Sequence, residues 1–141
     1  MKQSEADALL AMAKLFVGTA RVSLVPGVDE SHELVSADEK EQFMLDIWRG
    51  TIRIAKLKKQ TRARKITVLA RLDVDGSPHT NPDGTTIGGT HLHLYKEGFE
   101  DRWAFPVPSS FSNLTNINQV FVDFCAYCNI QRPPATQVAL I

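Results

Sequence analysis

FMLDIWRGTIRIAKLKKQTRARKITVLARL, residues 43–72, decides the fold class. Phe43, Leu45 and Ile47 alternate with Met44, Asp46 and Trp48, the period of two expected of a strand with both faces at least partly covered. Ile52 and Ile54 alternate with Arg53 and Ala55 in a run that reaches towards Lys56 and Leu57. Ile66, Val68, Ala70 and Leu72 alternate with Thr67, Leu69 and Arg71. The reading is three strands, with the basic stretch Lys58 to Lys65 as the loop that joins the second to the third.

Outward from this core the signals change. Before it, Leu9, Met12, Ala13, Phe16 and Val17 recur at helical spacing after Ser4 and Asp7, which predicts a helix over 5–17 that Gly18 and then Pro26-Gly27 close. After it, Asp75-Gly76 and Asn81-Pro82-Asp83-Gly84 are turn sequences, because Gly supplies positive φ and Asn or Asp bonds its own backbone. His91 to Tyr95 and Arg102 to Val107 read as further strands around a Glu97-Gly98 turn. Ile117, Val120, Phe121, Phe124, Cys125 and Cys128 then keep helical spacing and predict a second helix over 115–128, with Pro133-Pro134 beyond it. The expectation is an α+β fold: an antiparallel sheet of about five strands flanked by an N-terminal and a C-terminal helix, in a single domain over 1–132, with a tail over 133–141.

Length and composition set the class. A chain of 141 residues with 43% hydrophobic content can fill one core. No apolar run approaches the roughly 20 residues that span a bilayer, and the first residues lack a leader pattern, so a cytoplasmic location without membrane contact is expected. The two cysteines, Cys125 and Cys128, continue the apolar face of the second helix near its end rather than opening a helix, which points to core packing and away from redox or zinc chemistry. Trp48 and Trp103 likewise read more easily as core or half-buried strand residues than as stacking platforms.

The net charge of zero conceals a segregation. Between Asp29 and Asp46 lie seven acids and the single base Lys40. Between Arg49 and Arg71 lie nine bases and no acid. Gathered on one face, Arg49, Arg53, Lys56, Lys58, Lys59, Arg62, Arg64 and Lys65 would form a surface for RNA or another polyanionic partner; as a solvated hairpin loop they would do nothing specific.

Three of the four histidines fall within fifteen residues: His79 before the Asn-Pro-Asp-Gly turn, and His91 and His93 two apart on a strand, hence on one face, with Leu92 and Leu94 turned into the core. The turn can fold His79 and Asp83 back towards that face. Three readings compete: a polar strand face with no further role; a metal site, which Glu97 after His-Leu-His makes a faint echo of half a cupin motif; and metal-independent acid–base catalysis on RNA, with His79, His91 and His93 exchanging protons and Arg71 holding phosphate. The third is the working expectation, with no cofactor.

Arg71-Leu-Asp-Val-Asp-Gly-Ser-Pro-His79-Thr-Asn-Pro-Asp-Gly84, followed by His91-Leu-His93, Glu97-Gly98 and Trp103-Ala-Phe-Pro106, resembles a functionally uncharacterised family of small bacterial and phage-associated domains. The resemblance runs from the first predicted helix to the second. Thr90 stands where that family tends to have proline before His-x-His. The resemblance implies an accessory gene of a phage, mobile element or defence locus. The functional expectation is therefore a toxin-type endoribonuclease with RNA as substrate and a cognate antitoxin. The alternative is a non-catalytic binder: an inhibitor that occupies a protein of a host defence complex, or an antitoxin-like protein.

Overall fold

The computed structural model describes residues 1–18, 21–51 and 56–138. In chain order its elements are α1 (Gln3–Ala11), β1 (Lys14–Phe16), β2 (Val22–Ser23), β3 (Asp29–Ser36), β4 (Gln42–Arg49), β5 (Leu57–Ala63), β6 (Thr67–Val74), β7 (His79–Thr80), β8 (Thr86–Ile87), β9 (His91–Leu94), β10 (Ala104–Phe105), α2 (Ile117–Tyr127), β11 (Ile130–Gln131) and β12 (Thr136–Gln137). Eight strands form one sheet in the order β10-β9-β6-β5-β4-β3-β1-β11, antiparallel except at its β1–β11 edge. The fold is thus mostly β with a large mixed sheet, which corrects the expectation of a five-stranded antiparallel α+β domain. β12 pairs with β2, and β7 with β8, as separate ribbons.

Two local readings account for the difference. The predicted helix over 5–17 stops at Ala11, where Met12 turns to extended backbone, and Lys14 to Phe16 joins the sheet between β3 and β11. Helical spacing continued past this point in the sequence, but Lys14 ends the helix. Its buried ammonium donates to the carbonyls of Leu10 (2.8 Å) in the last turn of α1, of Met12 (2.9 Å) just after it and of Cys128 (2.7 Å) at the end of α2. One cation thereby satisfies carbonyls that two helix ends leave without partners.

The second difference is the basic stretch. Lys58 to Ala63 is strand, not loop, and the reversal is confined to the tight turn at Arg64 and Lys65, both at positive φ (52° and 68°). The predicted alternation at Ile52 to Ile54, with Arg53, lies outside the described residues. α2 keeps the place predicted for it: Asn116 caps it by accepting from the Gln119 N–H at 3.0 Å, and Val120, Phe121, Phe124 and Cys125 are buried.

The core lies on the helix side of the sheet, where Phe43, Leu45, Ile47, Leu57, Leu72 and Leu92 cluster with Phe121, Phe124 and Leu9. Cys125 and Cys128 belong to it, and burial pushes the Cys125 thiol up to about 12. Lys59 belongs to it as well. Only 1% exposed, with its ammonium 5.8 Å from the Phe121 ring centroid, it is pushed down to about 8, chiefly by burial.

A folded-state value below the ordinary 10.5 means that between about pH 8 and 10.5 the unfolded chain binds the extra proton, so this group's contribution to stability rises with pH across that window. Lys59→Met should therefore be more stable than wild type at pH 7, by on the order of 2 kcal/mol. In urea unfolding series the gap should narrow from pH 8 towards 10; a gap that stays constant or widens would show that burial does not penalise this ammonium.

Candidate functional site

Strand register builds the site. On the sheet face turned away from the helices, Asp29 pairs with Trp48, Trp48 with Lys58, Lys58 with Asp73 and Asp73 with His91, one row across β3, β4, β5, β6 and β9. The neighbouring row on the same face is Ser31, Asp46, Gln60, Arg71 and His93. Alternation thus delivers Arg71, Asp73, His91 and His93 to one place, while Leu92 turns to the core.

The β7–β8 ribbon folds over them. Its base is a close approach of two backbones, with Gly76 N–H donating to Gly89 O at 2.9 Å; a Cβ on Gly89 would stand 2.0 Å from the Gly76 carbonyl oxygen, so no side chain fits there. Its far side is tied to β10 by Asn81, whose buried amide accepts from Ala104 N–H (2.8 Å) and donates to Ala104 O (3.0 Å). His79 is thereby held against both strand histidines, with ring centroids 4.7 Å from His93 and 5.7 Å from His91; those two are 4.8 Å apart. Asp83 stays out. Its carboxylate accepts from the Thr85 N–H and hydroxyl within the turn, which hold it below the usual carboxylate range.

Each imidazole is oriented by a backbone carbonyl, which can only accept. His91 Nδ1–H donates to Gly88 O (2.6 Å), His93 Nδ1–H to Asp101 O (2.9 Å) and His79 Nε2–H to Arg102 O (2.8 Å). The free lone pairs are then Nε2 of His91, Nε2 of His93 and Nδ1 of His79. Arg71 Nη2 donates to His93 Nε2 at 2.9 Å, and the same guanidinium meets Asp73 (3.3 Å) and Asp101 (3.5 Å). His91 Nε2 is buried, 3.3 Å from Asp73 Oδ2, with no hydrogen-bond partner among the described residues. Burial alone would push the Asp73 carboxyl up, but His93, Arg71 and His91 outweigh it and hold the group below its usual range.

The cavity so formed, about 200 Å³, is lined by these groups with Lys56, Lys58 and Pro78. Asp73, His91 and His93 also offer three donor atoms within 4.8 Å of one another, a set that suits a transition metal. Glu97 does not join them; it accepts from the Gln3 N–H at the start of α1, which ends the cupin echo.

The basic residues divide. Lys56, Lys58 and Arg71 reach the cavity. Arg62 is spent in a two-point pair with Asp46 (2.6 and 2.8 Å), and Arg64 in pairs with Glu41 and Glu5. Arg49 and Lys59 are buried, Arg49 donating to Leu24 O, so neither belongs to a basic surface. Lys65 is exposed near the β1–β3 groove, away from the histidines. Period-two alternation puts Lys59 in the core and Lys58, Arg62 and Arg71 on the opposite face, so the described bases do not form one patch. Asp73 and Asp101 are the members the sequence reading missed; Asp73 was visible as the residue sharing a face with Arg71, while Asp101 enters only through the chain's return to β10.

Fold and site together define a mostly β protein with a histidine cavity closed by a ribbon on the polar face of its sheet. The chain belongs to a family of unknown function, DUF6978, which it matches over residues 1–130. No curated protein and no solved structure matches it. Among the described residues no helix is long and apolar enough to cross a membrane.

Asn81→Ala leaves the Ala104 N–H and carbonyl without their partners and should cost about 1–3 kcal/mol. Hydrogen exchange should then show faster exchange across 79–87 while α2 stays protected. Equal protection of the ribbon in variant and wild type would show that Asn81 does not hold it.

Proposed function

We propose that the chain is a nucleic-acid-directed protein whose histidine cavity cleaves an RNA phosphodiester by general acid–base chemistry. The observation that carries this reading is the convergence of three carbonyl-oriented imidazoles in a cavity that Arg71, Lys56 and Lys58 also line. Imidazole exchanges protons near neutral pH, and cations around a phosphate stabilise the charge that develops on it.

His79 is the least buried of the three, and its free Nδ1 suits the base that takes the 2′-hydroxyl proton. The bond from O2′ to phosphorus forms as the bond from phosphorus to O5′ breaks. Protonated His91 carries its transferable proton on Nε2, 3.3 Å from Asp73 Oδ2, and passes it to O5′. Arg71 holds the phosphate oxygens, and His93 orients Arg71 through Nε2. The family resemblance makes a cytoplasmic protein of a phage, mobile-element or defence locus part of the same proposal.

Alanine at His79 or His91 should each lower RNA cleavage by about 100-fold or more, the scale of a lost general acid or base, and alanine at His93 should lower it by freeing Arg71, with circular dichroism confirming the fold. Cleavage that persists in all three variants removes the reading.

A second reading rests on one atom. The buried His91 Nε2 faces a carboxylate with no donor between them, an arrangement that a divalent ion bound by Asp73, His91 and His93 would satisfy, with Gly88 O and Asp101 O fixing the tautomers. Against it stand Arg71, already on His93 Nε2, and the two lysines. Chelator dialysis decides between the two: acid–base catalysis predicts unchanged cleavage and no stoichiometric metal by elemental analysis, whereas a metal centre predicts loss of activity and its return with zinc or manganese.

A further inference from the structure

The groove beside the histidine cavity is lined by Asp29, Asp46, Trp48, Lys58, Arg62 and Arg71, among others, and measures about 430 Å³. Lys58 and Arg71 line both hollows, so groove and cavity are continuous along the sheet. At the groove's far end Trp48 is half-buried on the polar face, with Lys56 Nζ 5.9 Å and Lys58 Nζ 5.8 Å from its ring centroid. Core packing does not explain this indole, because Ile47 and Leu45 beside it serve the core and Trp48 alternates away from them.

Charge decides what the groove would accept. Asp46 is neutralised by Arg62 and takes further hydrogen bonds from Ser31 (2.6 Å) and Gln60 (2.7 Å), leaving it no open valence. Asp29 is the remaining acid, at the outer edge of the row. Between Trp48 and the histidines lie Lys56 and Lys58, and then Arg71 beside the buried Asp73, its ion-pair partner at 3.3 Å. A half-buried indole with two ammonium groups over its ring at 5.8–5.9 Å pairs an aromatic surface for a base with cations for the phosphates that follow it. Three inter-strand steps separate Trp48 from His91, about 14 Å. A base can stack on Trp48 only when both of its faces are not already covered by neighbouring base pairs, which requires a single strand.

We infer that Trp48, Lys56 and Lys58 form a base-stacking subsite that holds single-stranded RNA so that a phosphate further along the same strand enters the histidine cavity. The inference rests on the reading of that cavity as a phosphodiester site, and it specifies the substrate as unpaired RNA.

Trp48 and Trp103 are the only tryptophans, so a Trp103→Phe background makes fluorescence report on Trp48 alone. The probe is a short 2′-O-methyl single strand, which lacks the attacking hydroxyl and cannot be cut. It should quench the emission saturably, while the same sequence as a duplex should bind at least tenfold more weakly. By anisotropy of a labelled strand, Trp48→Ala should weaken binding about 5- to 100-fold, and Trp48→Phe should restore most of it. Absence of quenching, equal affinity for the duplex, or full affinity in Trp48→Ala overturns the inference, and Trp48→Phe guards against a mere folding defect. Cleavage of unmodified RNA by wild type is scored separately: cleavage with a silent Trp48 sinks the subsite and leaves the cavity reading intact, whereas Trp48-dependent binding without cleavage sinks the catalysis and leaves the subsite.

Discussion

The pairing of β6 with β9 is the constraint on which the site depends. Its register sets Arg71 opposite His93 and Asp73 opposite His91, and the ribbon above removes both histidines from solvent. Charged and polar groups brought together under a cover must satisfy one another, because each lost interaction with water costs several kcal/mol if nothing replaces it. Arg71 contributes to this with one planar guanidinium, hydrogen-bonded to His93 and ion-paired with Asp73 and Asp101, although its Nε and Asp73 Oδ1 keep no hydrogen-bond partner among the described residues. A register slip of one residue would turn Val74 and Leu72 outwards and bury the charged set in the core, so the hydrophobic face and the polar site select the same pairing.

Two buried lysines show how differently this chain accommodates a cation. Both ammonium groups are lowered to about 8 by burial. Lys14 is ringed by three carbonyls from the ends of α1 and α2, and the same bonds fix where β1 leaves the helix. Lys59 has aromatic and thiol neighbours instead, Phe121 and Cys125, a poorer substitute for water. A basic residue in this sequence is therefore a helix-end clamp, a core misfit, a surface ion-pair partner or a cavity cation according to the face it occupies.

The ribbon that closes the cavity uses its turn residues for two purposes. Asn81 initiates the Asn-Pro-Asp-Gly turn and also mimics a strand partner for Ala104, while the glycine contact at 76 and 89 lets two backbones approach at its base. His79 is placed by this scaffold and not by its own strand. Family membership adds no chemistry to this picture, so the functional reading rests on the geometry of the imidazoles and the cations beside them.

Sequence periodicity alone determined that His91 and His93 share a face, that α2 exists with its cysteines inside, and that the 75–84 stretch turns, because each depends on residues within a few positions of one another. Gly18 and Pro26-Gly27 did not reveal that the first helix ends at Ala11, since Phe16 and Val17 fit a helical stripe as well as they fit a strand. Only the tertiary structure decided the eight-stranded mixed sheet, the arrival of Asp73, Asp101 and His79 around the strand histidines, and which of the described bases face outward. Those outcomes turn on which strands pair and in what register, and pairing energies are summed over residues far apart in the chain, where no local pattern records them.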